Sequence, residues 1–280
     1  MSKLSAWEKR NKIRRGEPLE WNGLLFYPVT MSHYEEFLDV KNAWLARQSS
    51  FPVRYMAMPF LSAVWAMDVD FAKSDGKLIG LFERIIRFLY LSLRLEYKRE
   101  NLIEHVYLHN DDIRELDYIK VTQGGNTVQI TPADFAAYIR PLVAEQNGLT
   151  LPDESYNPEL VQAEQELASE QAASLKFDID TMIASVAYLS HLDESVVDEW
   201  TVLKFERRRN AIERDKKYML YAQAEMSGMV KFKHGNPYLS WCFDKAEGLS
   251  PILRSTSDVN ANVSAIGDIN AAVAAGKPTQ

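Results

Sequence analysis

The run "LIGLFERIIRFLYLSLRLEY", Leu78 to Tyr97, constrains the fold more than any other stretch of the chain. Ile79, Phe82, Ile85, Ile86, Leu89 and Leu93 recur at helical spacing, so a helix here carries an apolar stripe that has to be covered. A membrane-spanning helix needs ~20 apolar residues in succession, and Glu83, Arg84, Arg87 and Arg94 break the run every few positions. An interfacial membrane helix is amphipathic too, but less hydrophobic around its circumference. The expected state is a core helix flanked by arginines. At 280 residues, with 46% hydrophobic and 11% aromatic content, the chain has enough apolar surface for one large domain or two modest ones.

Around that helix the pattern is helical, then mixed, then helical. "GLLFYPV" alternates as a short strand does, and Ser32 with Glu35 spells a capping box opening a helix through Trp44. A second helix is expected over Phe60 to Met67, with Pro59 at its start, and the long helix over about Lys77 to Asn101. "EHVYLH", "LDYIKVT" and "NTVQIT" predict three strands of an antiparallel meander, the last two joined at "QGG", where adjacent glycines suit a hairpin turn. Thr131, Pro132 and Asp134 fit the N-cap, N1 and N3 positions of a helix closing at Asn147-Gly148, either kinked or restarted at Pro141. Further on, "FDIDTMIASVAYLSHL" is an apolar helix capped by Asp178 or Asp180, "DESVVDEW" opens a helical turn, and Thr201 to Ser227 forms the longest helix, stopped by Gly228.

These elements predict a mainly α (α+β) fold, a helical body with a small antiparallel β-meander insertion. The expected organisation is an N-terminal strand and helical region (1–103), a small α+β insertion (104–152), an acidic linker (153–175), a C-terminal helical region packing on the first (176–245) and a flexible tail (246–280). The linker rests on "LPDESYNPELVQAEQELASEQAASL", which has six acidic residues, no basic one and two prolines. The tail rests on a small, polar, aromatic-free composition.

A net charge of −7 disfavours nucleic acid and anionic membranes as partners. In "FERRRNAIERDKK", Glu206, Glu213 and Asp215 alternate with the cations, as in ion pairs along an exposed helix face. A single cysteine requires no oxidising compartment, and the opening residues lack the apolar core of a secretory signal, so folding in the cytoplasm is expected. None of the glycine, histidine, serine or cysteine motifs of common enzymes is present. "HNDD", His109 to Asp112, has the composition of a turn. Cys242, between Trp241 and Phe243, is expected to be a buried structural thiol, with His234 not serving it as a base. No catalytic residue, cofactor or metal is expected.

The informative pattern lies in the longest helix. Phe205, Ile212, Met219 and Met226 recur every seven residues and form a seam, with Arg208 and Asp215 at intermediate positions, either at its solvent edge or paired across an interface. Met229, Phe232 and Trp241 extend the apolar series. These nine residues are the candidate partner-binding set, to be weighed against ordinary core packing.

"GLLFYPVTMSHYEEFLDVKNAWL", "ITPADFAAYIRPLVAEQNGLTLPDE" and "YMLYAQAEMSGMVKFKHGNPYLSW" together resemble a family of tail-associated proteins from bacteriophages and prophages of Gram-positive bacteria, the tail assembly chaperone class. The resemblance spans most of residues 20–243 and rests on short phrases. It implies a non-enzymatic protein in the host cytoplasm that holds the long helical tape-measure protein until tail-tube subunits polymerise around it. The partner is then the tape-measure protein, another tail protein or a second copy in a homo-oligomer. The alternative is a structural tail or baseplate component retained in the virion.

Overall fold

A computed structural model describes residues 5–75, 80–98, 106–108, 115–154 and 178–228. Helix α1 (Ala6–Arg15) opens on a capping box in which the Ser5 hydroxyl accepts from the Glu8 N–H and the Glu8 carboxylate accepts from the Ser5 N–H. Strands β1 (Leu19–Trp21) and β2 (Leu24–Phe26) pair antiparallel around Asn22-Gly23. Both turn residues have positive φ, 49° and 82°, the geometry that matches the twist of a two-residue hairpin.

Helix α2 (Tyr34–Trp44) follows a single 3₁₀ turn, Met31–His33, and the expected capping box is not formed. Ser32 Oγ instead meets Thr30 Oγ1 at 2.8 Å, because Ser32 lies inside the 3₁₀ turn, which starts at Met31 after Thr30, and so does not hold the N-cap position of α2. A short α3 (Val53–Met56) leads into α4 (Phe60–Asp75), which runs well past the expected end at Met67. Its polar second half is occupied by cross-helix bonds. Asp68 accepts the Phe82 N–H at 2.8 Å and so caps the next helix, and Asp70 accepts the Tyr55 hydroxyl at 2.8 Å.

That next helix, α5 (Leu81–Leu93), is shorter than the expected Lys77 to Asn101. It ends in a Schellman motif, with the Arg94 N–H on Leu91 and the Leu95 N–H on Tyr90. Arg94 adopts the left-handed conformation a glycine usually supplies, and its guanidinium lies 4.3 Å from the Tyr27 ring centroid. Stacking there offsets the ~1 kcal/mol that a side chain costs in this conformation. Phe82, Ile85, Ile86, Leu89 and Leu93 are buried, as the stripe required, and Phe88 joins them; Ile79 lies outside the described residues. No helix among the described residues is long and apolar enough to cross a membrane.

The meander forms as expected, β3 (Val106–Leu108), β4 (Leu116–Gln123) and β5 (Asn126–Ile130) in that order, with Gly124 and Gly125 both at positive φ in the turn. Thr131 then caps α6 (132–146) through the Asp134 N–H. Pro141 neither breaks nor sharply restarts this helix, because a π turn over Phe135–Ile139 widens the coil just before it and accommodates the donor that proline lacks. After Asn147 and a left-handed Gly148, the described chain resumes in α7 (Ile179–Ser190), α8 (Glu194–Asp198) and α9 (Val202–Met226). Asp178 takes the N-cap position of α7, though its carboxylate accepts the Thr181 hydroxyl rather than a backbone N–H.

The fold is therefore mainly α with a small antiparallel β portion. Met1–Pro152 and Asp178–Asp244 form one unit, and Asp153–Phe177 with Lys245–Gln280 fall in a second. The acidic linker and the tail lie almost wholly outside the described residues, as do the "HNDD" turn, His234 and Cys242. Ile119, Val121, Ile130, Phe135 and Ile139 join the same buried cluster as Trp44, Phe82, Phe88 and Phe205, so the meander and α6 share one core with the helices.

At its centre Trp44 and Arg140 bond reciprocally. Trp44 Nε1 donates to the Arg140 carbonyl at 3.1 Å, while Arg140 Nε donates to the Trp44 carbonyl at 3.1 Å and its NH2 to Ala46 at 2.7 Å. The guanidinium also lies 3.6 Å from the Phe60 ring centroid. A second set of bonds holds β2. Gln123 brackets Leu25 by its N–H and carbonyl, Gln146 donates to the Phe26 carbonyl, and Asn147 accepts the Val29 N–H.

Two outcomes are expected. Arg140→Met keeps length and apolar stem but strips the carbonyls of Trp44 and Ala46 of their donor, and should cost about 2–3 kcal/mol in urea unfolding. Burial pushes the Asp68 carboxyl above its usual range, against the backbone N–H bonds of Phe82 and Leu81, which pull it down. A carboxyl raised in this way contributes stability that is complete below its unfolded pKa, about 4, and lost as pH rises through the folded value. Asp68→Asn retains an acceptor without the charge, so its urea midpoint should gain on that of the unsubstituted chain between pH 4 and pH 7.

Candidate partner interface

Helix α9 is fixed at one end. Thr201 is its N-cap, accepting from the Lys204 N–H at 3.2 Å, and Thr30 and Thr201 form an antiparallel bridge. The Met31 N–H donates to Trp200 and the Val202 N–H to Val29, at 2.8 and 2.9 Å. Val202 and Phe205 enter the core, with the Phe205 ring 6.3 Å from that of Tyr34. The Tyr34 hydroxyl donates to Glu206 at 3.1 Å, and burial together with the Glu206 charge pushes its pKa up to about 12. It therefore remains a donor throughout the physiological range. Arg209 completes the anchor, pairing with Glu206 at 2.6 Å and donating to Met182 Sδ on α7 at 3.6 Å.

Beyond this base the seam leaves the core. Phe205 is 0% exposed, Ile212 is half-buried, Met219 is 49% exposed and Met226 87%, with Leu220 exposed beside them at 64%. The structure thus divides the candidate set: Phe205 is core, Ile212 packs at the core's margin, and Met219 and Met226 present apolar side chains outward. Arg208 and Asp215 are exposed and do not pair with each other; Arg208 Nε donates to Ser190 Oγ at 3.1 Å. Lys217 pairs with Glu213 one turn away, the i,i+4 arrangement that the charge alternation implied. Met229, Phe232 and Trp241 lie outside the described residues.

Sequence reading missed what lies beside the base. Leu192, Trp200, Lys204, Arg207, Arg208 and Ala211 line a shallow groove of about 360 Å³. Positions 204, 207, 208 and 211 follow the i, i+3, i+4, i+7 rule of one helix face, a signal legible in the sequence but masked by treating the arginines as a solvated run. Lys204 Nζ stands 4.5 Å from the Trp200 ring centroid. A larger cleft, about 740 Å³, lies between α2 and α5 and is lined by His33, Glu36, Arg87, Arg94 and Glu96 among others. Its arginines are already engaged: Arg87 pairs with Asp39 and Glu36, and Arg94 stacks on Tyr27. Among the described residues no group of three or more His, Cys, Asp or Glu side chains is arranged to hold a metal ion.

The division of the seam predicts opposite responses along one helix. Phe205→Ala should cost about 3–5 kcal/mol of stability. Met219→Ser with Met226→Ser should leave the thermal midpoint within a degree or two, as exposed substitutions do.

Comparison of the chain with protein-family models, with curated proteins and with solved structures finds no match in any of the three.

Proposed function

We propose that the chain is a non-enzymatic partner-binding protein of phage tail morphogenesis, a chaperone that holds the tape-measure protein through the outer half of α9 before tail-tube polymerisation. The observation that carries the binding part is the change of environment along one helix, from a fully buried Phe205 to Met219, Leu220 and Met226 exposed in the outer half. An apolar helix face at the end of a firmly anchored lever suits a helical partner, which supplies its own apolar stripe and needs no preformed pocket. Methionine serves this use because its flexible, polarisable side chain adapts to varied apolar surfaces, which a protein gripping a long, changing helix requires. The assignment to tail assembly rests on the resemblance of the quoted segments. A homo-oligomer through the same face is the competing use of that surface.

The decisive variant is Met219→Asp with Met226→Asp. Both sites are exposed, so the protein should stay folded by thermal unfolding. Its association with co-expressed tape-measure product should weaken by about 2 kcal/mol or more, near thirtyfold, as when well-packed anchors are lost. Undiminished capture by the folded variant would place the interface elsewhere. Light scattering at several concentrations separates self-association from partner binding, and mass spectrometry of purified virions distinguishes a chaperone, absent or scarce there, from a retained tail component.

A further inference from the structure

The groove at the base of α9 joins two features. Its floor is apolar, built from the Trp200 ring, Leu192 and Ala211, and its wall is cationic, built from Lys204, Arg207 and Arg208. The chain carries a net charge of −7, yet among the described residues none of these three cations has a carboxylate within ion-pair distance. The nearby Arg209 and Lys217, by contrast, are paired with Glu206 and Glu213. The only polar partner of Arg208 there is the neutral Ser190 hydroxyl.

We infer that this groove takes an acidic amphipathic helix of a protein partner, apolar side chains seated over Trp200 and Leu192 and carboxylates set against Lys204, Arg207 and Arg208. Charge complementarity selects the occupant. Three uncompensated cations over an apolar floor favour a ligand that brings negative charge and apolar side chains together, and a helix with acidic residues flanking an apolar stripe does so. Spacing agrees, because cations at i, i+3 and i+4 on α9 meet carboxylates one turn apart on a helix lying alongside. Arginine forks also receive carboxylates in bidentate geometry. The inference rests on the proposed use of α9 and deepens it: Met219 and Met226 supply apolar grip, while the groove fixes which helix is accepted and in which direction it lies.

The probe is a labelled synthetic peptide of three heptads, with Leu at a and d, Glu at e and g and Ala elsewhere. Its twin has Lys in place of Glu. Fluorescence anisotropy with the full chain, at about 50 mM and about 300 mM salt, reads the affinity of each. The Glu peptide is expected to bind, more weakly at high salt, and at least about tenfold more tightly than the Lys peptide. Arg207→Gln with Arg208→Gln should reduce that affinity at least about tenfold and flatten its salt dependence, with thermal unfolding unchanged because both residues are exposed.

Equal binding of the Glu peptide to this variant and to the unsubstituted chain overturns the inference, and so does equal affinity for the Lys peptide. Displacement of the Glu peptide by inorganic phosphate or a single-stranded oligonucleotide at matched charge also overturns it, in favour of a phosphate site. Met219→Ser with Met226→Ser separates the groove from the apolar seam. Binding lost in that variant but kept in the arginine variant leaves the apolar seam standing and removes the groove. Binding kept in both removes both.

Discussion

The reciprocal bond between Trp44 and Arg140 is the constraint on which the rest of the fold depends. An arginine only 8% exposed is costly to desolvate unless its donors find acceptors. Here the acceptors are the carbonyls at the C-terminal end of α2, where a helix leaves acceptors unsatisfied and its dipole is negative. Arg140 therefore resolves two deficits at once, its own and that of the helix end. The Trp44 ring sits edge-on against both Phe88 and Phe135, at 4.9 and 5.1 Å between centroids, so the same residue that receives the bond locks α5 and α6 in place. Elements far apart in sequence meet here through one polar contact wrapped in aromatic rings.

Much of this was legible in the sequence, and the misses share a cause. The meander, the Thr131 cap, the core stripe of α5 and the extent of α9 all follow from local signals: period, cap residue, paired glycines. The end of α5 did not follow, because Arg94 occupies a left-handed position where only glycine or asparagine would have announced a stop. The capping box at Ser32 did not form because a 3₁₀ turn begins at Met31 and places Ser32 inside a helical turn rather than at the N-cap of α2. The hairpin at Asn22-Gly23 and the Ser5 capping box of α1 also carry local signals, an Asn-Gly turn pair and an S-x-x-E spacing. In the candidate interface, heptad spacing located Phe205, Ile212, Met219 and Met226 on one seam but carried no information on depth. Depth depends on where the core ends, which is a tertiary property.

Helix α9 combines two mechanical regimes in one element. At its base, backbone bonds to Val29 and Trp200, the Tyr34 to Glu206 bond and the Phe205 ring fix its direction relative to α2. Further out it is stabilised by its own ladder and by side-chain pairs such as Lys217 with Glu213. A stiff base spares the outer half the entropic cost of finding its orientation when something binds, while exposed methionines keep the contact surface adaptable. Pre-orientation and surface plasticity, usually in tension, are here assigned to different turns of the same helix.

The groups that occupy the outer edge of β2 have a further consequence. A two-stranded hairpin leaves an outer strand with backbone donors and acceptors in a row, a template onto which another chain can add a strand. Gln123 takes both backbone groups of Leu25 and the Ser92 carbonyl accepts the Tyr27 N–H just beyond the strand, so the row is blocked without a covering strand. At high local concentration this edge offers no nucleus for runaway sheet growth. In a chain that leaves Met219, Leu220 and Met226 exposed, closing this edge removes one less selective route of association.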